Sequence, residues 1–198
     1  MKLYIDEAGR GPLAWPLYVA IVFPIKNFVK KDFQDSKKIS EKQRNTLMEK
    51  VIKLKERWFL DYTISKSSPK NIDKYGLTKS INQAIKKWIK KLAKTHNLDL
   101  SKIEIIIDGK QTFWLEKDLE SRLTTIVKWD QKNKNISIAS IIAKTQRDKE
   151  MVNKIHKKYP QYNFAKHKWY GTKEHIQNIK KYWPCEIHRQ LFLRRIKQ

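Results

Sequence analysis

The chain reads as an α/β protein. Short apolar runs rich in isoleucine and valine alternate with longer stretches of helical period, the pattern of strands layered with helices. Acidic residues close two of those runs, Asp6 after Leu3-Tyr4-Ile5 and Asp108 after Ile105-Ile106-Ile107, as at the exposed ends of sheet strands. With 198 residues the chain is long enough for one sizeable core. Residues 1–198 are expected to form a single domain, with about 150–198 as a helical C-terminal extension packed on it.

In chain order, strands are expected at Lys2–Asp6, Leu17–Phe23, Trp58–Ser65, Ile103–Asp108 and Thr124–Trp129. Ser40, followed three residues later by Gln43, forms a capping box that starts a first helix through Leu47, Val51 and Leu54. A second helix is expected from about Asn71 to Lys94, with Leu77, Ile81, Ile85, Ile89 and Leu92 on one face. A third begins near Ile136, carries Ile138, Ile141 and Ile142, and continues to Val152 and Ile155. Thr172 caps a short helix that Trp183-Pro184 stops, and Ile187–Lys197 reads as a basic terminal helix. The sequence contains no internal repeat and no linker.

The charge balance is lopsided: 44 Lys+Arg against 20 Asp+Glu give a net charge of +24. Such an excess fits a polyanionic partner, nucleic acid above all. No run approaches the roughly 18 apolar residues of a membrane span. Acidic residues at positions 6 and 7 stand where the apolar stretch of a signal peptide would run. A cytoplasmic protein with no membrane partner is expected. The single Cys185 excludes an internal disulfide and a cysteine-based zinc site.

The chemistry is concentrated in Asp6-Glu7-Ala8-Gly9-Arg10-Gly11. Paired carboxylates suit hard divalent cations such as Mg2+, which take oxygen ligands and leave positions for water and phosphate. The Gly-Arg-Gly turn offers unshielded backbone N–H groups and one guanidinium to an approaching phosphodiester. Asp108, followed by Gly109, and Asp130, after Ile126-Val127-Lys128-Trp129, are two further acids at strand ends. Successive strand residues point to opposite faces, so Asp6 and Glu7 share a site only if the chain turns after Asp6 or the longer Glu7 reaches around.

Asp6-Glu7-Ala8-Gly9-Arg10-Gly11-Pro12-Leu13-Ala14 resembles the opening signature of ribonuclease HII. The resemblance continues through Asp35-Ser36-Lys37-Lys38-Ile39-Ser40, Ile107-Asp108-Gly109, Ile138-Ala139-Ser140-Ile141-Ile142-Ala143-Lys144, and Arg147-Asp148. It extends to Tyr159-Pro160-Gln161-Tyr162, Phe164-Ala165-Lys166-His167-Lys168, Tyr170-Gly171-Thr172-Lys173-Glu174-His175 and His188-Arg189, nearly the whole chain. It implies a ribonuclease H-like fold, a mixed central sheet flanked by helices with a helical C-terminal region. It further implies cleavage of the RNA strand of RNA–DNA hybrids and nicking 5′ of ribonucleotides embedded in duplex DNA. By the same resemblance Asp6, Glu7, Asp108 and Asp130 hold two divalent cations, Mg2+ or Mn2+, in a monomeric enzyme. Gly9, Arg10 and Gly11 read the ribose 2′-hydroxyl, and Tyr170 packs by the following sugar. Lys37, Lys38, Lys144, Lys166 and Lys168 are candidate phosphate contacts. His167, His175 and His188 lack metal-ligand spacing and read as structural or phosphate-adjacent.

Two alternatives share parts of this pattern. Ribonuclease HIII has the same fold but a different turn after the acidic pair, and a noncatalytic nucleic-acid-binding module would need only the charge. The chain also departs from the family: Trp15, Trp129, Trp169 and Trp183 stand where ribonuclease HII usually has glycine. The chain has only 5 glycines and as many as 7 tryptophans. These positions are therefore expected to be UGA codons that the source organism reads as glycine. As genuine tryptophans beside Asp130 and Tyr170 they would crowd the substrate groove.

Overall fold

The computed structural model describes residues 1–33, 38–108, 123–126, 133–194 and 196. Five strands among them form one mixed sheet: β1 (Lys2–Ala8), β2 (Leu17–Pro24), β3 (Leu60–Ser67), β4 (Glu104–Asp108) and β5 (Leu123–Ile126), in the order β3-β2-β1-β4-β5. The first three are an antiparallel meander, whereas β1–β4 and β4–β5 are parallel. The apolar runs of β1, β2 and β4 are continuous because these inner strands are covered on both faces.

Helices α1 (Glu41–Glu56) and α4 (Lys134–Glu150) cover one face, packing on Tyr4, Ala20, Val22 and Ile106. Helices α2 (Pro69–Tyr75) and α3 (Leu77–Thr95) cover the other, where Ile81, Ile85 and Ile89 meet Leu3, Ile5, Ile21, Ile105 and Ile107. The segments after residue 150, including α5 (Lys173–Tyr182) and α6 (Gln190–Leu193), bury Met151, Phe164, Trp169, Ile179 and Leu193 in the α4-side core.

The Ser40 capping box forms with both of its reciprocal bonds, and Thr172 caps α5. Elsewhere the structure corrects the sequence reading. The single helix expected over 71–94 is two, broken at Gly76, whose φ of 77° lies outside helical space. α4 widens into a π-helical turn at Met151–Ile155, and the phase slip leaves Val152 exposed while Ile155 stays buried. Among the described residues of the helix expected over Ile187–Lys197, only Gln190–Leu193 are helical. Its first residues run extended instead, because Ala14 bridges to His188 and Trp15 N–H donates to the Ile187 carbonyl at 2.7 Å.

Trp15, Trp58, Trp169 and Trp183 all have left-handed φ, between 57° and 79°. A bulky side chain rarely takes this conformation. Trp169 is fully buried and stacks on Trp15 with ring centroids 5.6 Å apart. Its indole therefore lies in the core and does not crowd the groove beside Tyr170. Trp129 lies outside the described residues.

Candidate active site

β1 and β4 run parallel with Ile5 opposite Ile107, which brings Asp6 and Asp108 side by side at the carboxyl ends of neighbouring strands. That is where open α/β sheets place their sites. β1 does not turn after Asp6; it continues to Ala8. Glu7 nevertheless lines the same cavity, so of the two routes open to it the reach of the longer side chain is the one used. This cavity, about 280 Å3, is bounded by Asp6, Glu7, Gly9-Arg10-Gly11, Asp108, Lys144, Arg147 and Tyr170. A larger hollow of about 600 Å3 at the start of α3 holds no carboxylate among its lining residues, so volume does not mark the chemistry here.

Asp6 is buried. Its burial and the neighbouring Glu7 charge push its carboxyl above the usual range, while a Ser140 hydrogen bond and Lys144 work in the opposite direction. Burial also raises Glu7, against the opposing pull of Arg10, and Asp108 adds to the rise. The Arg10 guanidinium donates to Glu7 Oε1 at 3.2 Å. Three acids that repel one another in a partly desolvated pocket are a donor set that a cation would stabilise. Among the described residues no three His, Cys, Asp or Glu are close enough to form a ready-made metal cluster; Asp6, Glu7 and Asp108 line one cavity without already meeting at ligand distance.

The candidate residues separate cleanly. Asp6, Glu7, Gly9, Arg10, Gly11, Asp108, Lys144 and Tyr170 meet in one place. Asp130 and Lys37 lie outside the described residues. Lys38 is exposed and does not line the cavity. Lys166 is paired with Glu174 at 2.9 Å, and Lys168 with Glu41 at 2.8 Å and Asp148 at 3.4 Å. Gly9 is required by its φ of 97° and by Pro16 O, 3.0 Å from where a Cβ would sit; at Gly11 a Cβ would only touch the Tyr170 ring at 3.4 Å. His167, His175 and His188 are buried and do not line the cavity.

Two contributors were not singled out from the sequence, Ser140 and Arg147. With Lys144 they occupy positions i, i+7 and i+4 of α4, one polar stripe beside the buried Ile136, Ile138, Ile141 and Ile142, and that spacing was the available signal.

The family model for ribonuclease HII matches residues 3–195. The chain belongs to the ribonuclease HII family. It is 38% identical over 192 residues to ribonuclease HII of Caldicellulosiruptor bescii, covering 97% of this chain and 86% of that one. Against ribonuclease HII of Francisella tularensis subsp. holarctica it is 40% identical over 190 residues, covering 96% and 94%. The ribonuclease HII in a PCNA complex from Archaeoglobus fulgidus superposes with a TM-score of 0.75 at 24% identity, over 100% of this chain and 97% of that one. Ribonuclease H2 of Pyrococcus horikoshii gives 0.66 at 24%, covering 99% and 96%. Aquifex aeolicus RNase H3 shares the fold at 0.58 and 16% identity, covering 87% of this chain and 68% of that one. This ribonuclease HII family member has the ribonuclease H-like fold and is an endoribonuclease; the type HIII and noncatalytic alternatives are not favoured.

Proposed function

We propose that the enzyme hydrolyses the phosphodiester 5′ of a ribonucleotide in duplex nucleic acid, leaving 3′-hydroxyl and 5′-phosphate ends. Its substrates are RNA–DNA hybrids and DNA duplexes with embedded ribonucleotides. The observation that carries this reading is the convergence of Asp6, Glu7 and Asp108 with Arg10, Lys144, Arg147 and Tyr170 on one cavity. Acids in a phosphate groove weaken binding unless cations neutralise them, so the set points to chemistry rather than to simple affinity.

Asp6, Glu7 and Asp108, with Asp130, would hold two divalent cations, Mg2+ or Mn2+. Bound there, such ions lower the pKa of a water and stabilise the leaving oxygen of an in-line displacement. Lys144 and Arg147 meet the flanking phosphates. Gly9 to Gly11 present backbone donors to the 2′-hydroxyl, the group that distinguishes RNA from DNA. Tyr170, 46% exposed beside Gly11, packs on the next sugar. The described residues this reading uses all come from one copy, which supports a monomer acting as a single domain, and we place the enzyme in the cytoplasm. No helix among the described residues is long and apolar enough to cross a membrane.

Incubating the enzyme with a DNA duplex carrying one ribonucleotide, in Mg2+ or Mn2+, tests the proposal. A single nick 5′ of the ribonucleotide, absent from an all-DNA duplex and abolished by a chelator, is expected. Binding without cleavage in either metal would overturn it.

A further inference from the structure

Arg189 is wholly buried and hydrogen-bonds four main-chain carbonyls of one short segment. Nη2 donates to Gly9 O at 2.6 Å, Nη1 to Arg10 O and Pro12 O at 3.0 Å each, and Nε to Trp15 O at 2.9 Å. Its own N–H donates to Leu13 O at 2.8 Å. Burial pulls the guanidinium down to about 10, with Asp73 and Tyr170 opposing, which leaves it charged at neutral pH. In a trans peptide the C=O of one residue and the N–H of the next point in opposite directions. Fixing the carbonyls of Gly9 and Arg10 on the Arg189 side therefore turns the amides of Arg10 and Gly11 away from it, and both residues line the cavity.

We infer that Arg189 is a positioning residue: it holds the Gly9-Arg10-Gly11 backbone so that its amides face the ribose. This rests on the proposed reading of the turn. Lysine keeps the charge but has no planar fork to reach four carbonyls at once. Two measurements on Arg189→Lys and Arg189→Ala test the inference. Backbone amide order parameters should fall at Arg10 and Gly11 while the sheet amides keep theirs. Nicking should lose kcat by about 10²-fold, as expected for a misplaced site, with KM for the duplex little changed. Added guanidinium should restore part of the rate of Arg189→Ala. It should not help Ile179→Ala, a core variant that lowers stability away from the turn. Unchanged order parameters at Arg10 and Gly11 overturn the inference whether or not the parent cleaves. A kcat that falls only as far as in Ile179→Ala overturns it too. A parent that fails to nick counts against the assigned reaction instead.

The tryptophan backbones carry a separate inference. Trp58 N donates to Lys55 O at 3.0 Å and Phe59 N to Leu54 O at 2.9 Å, the paired bonds of a Schellman motif with Trp58 at its left-handed position. That position is usually glycine, sometimes asparagine; α3 ends with left-handed Asn97 there. Trp183 ends α5 at φ 62° and ψ 159°, a region that is essentially glycine-only, and Gly76 ends α2 at φ 77° and ψ 165°. The indoles of Trp58 and Trp183 are 63% and 77% exposed, so packing does not offset the strain. By contrast Trp88 lies within α3 and is not left-handed.

We infer that residues 15, 58, 169 and 183 are glycine in the protein its source makes, through UGA codons read as glycine. Reading the gene and the mass of the source protein tests this. UGA at all four with UGG at 88, and glycine masses in the peptides, is the expected result. UGG at any of the four, or a tryptophan mass there, overturns it.

Discussion

His175 Nε2 lies 3.1 Å from His188 Nε2, inside the C-terminal core. His175 Nδ1 reaches the Tyr170 carbonyl at 2.9 Å and so carries a proton, and Cys185 N–H donates to His188 Nδ1 at 3.1 Å. These bonds leave His175 Nε2 as acceptor and His188 Nε2 as donor, both rings neutral. Burial holds both histidines down to about 4, against an ordinary value of 6.5.

The unfolded chain therefore binds more protons than the folded one between pH 6.5 and about 4, and stability falls as pH drops through that window. The melting temperature should decline over this range. The two imidazole NMR signals should keep their neutral shifts until pH approaches 4. Titration of either ring near pH 6.5 would contradict the pairing.

Asp148 gathers Arg44 at 3.0 Å, Arg147 at 2.7 Å and Lys168 at 3.4 Å around a side chain only 3% exposed. Replacing it by Asn strands buried cations, and the loss should be about 3 kcal/mol in urea unfolding. A loss below about 0.5 kcal/mol, the level of an ordinary surface change, would show that the network is not structural.

The lysines divide by their place in the fold. Lys144 lines the cavity, so Lys144→Ala should weaken duplex binding and shallow its salt dependence by about one phosphate contact. Lys168→Ala, whose amine is committed to Glu41 and Asp148, should leave that slope unchanged. The salt dependence of binding for the two variants checks this, and equal slopes would contradict it.

Trp58→Gly and Trp183→Gly should each stabilise the fold. Left-handed strain of about 1–2 kcal/mol is relieved, while glycine costs about 0.5–1 kcal/mol of extra chain entropy. Urea midpoints should rise. A fall in either variant would contradict the strained assignment.

Much of this was legible in the sequence. The apolar runs ending in Asp6 and Asp108 located β1 and β4, and the parallel register of the two strands makes them neighbours. Ser40 and Thr172 marked helix starts because local caps act within one turn. What sequence could not show depended on distant partners. Lys166 and Lys168 belong to ion pairs with Glu174 and with Glu41 and Asp148. Ile187 to Arg189 are extended because residues 13–15 pair with them from the other end of the chain. The clamp of Arg189 on Gly9 spans 180 positions and has no local signature. Trp58 escaped notice because only its backbone, not its neighbours in sequence, identifies the glycine position.

The central claim is that Asp108 belongs to a carboxylate set that performs hydrolysis. Single-turnover nicking of the one-ribonucleotide duplex by Asp108→Asn, beside its parent at equal Mg2+ and with duplex binding measured on both, tests it most directly. A rate lower by about 10²-fold or more with binding retained is predicted. Nicking at the parent rate would contradict it.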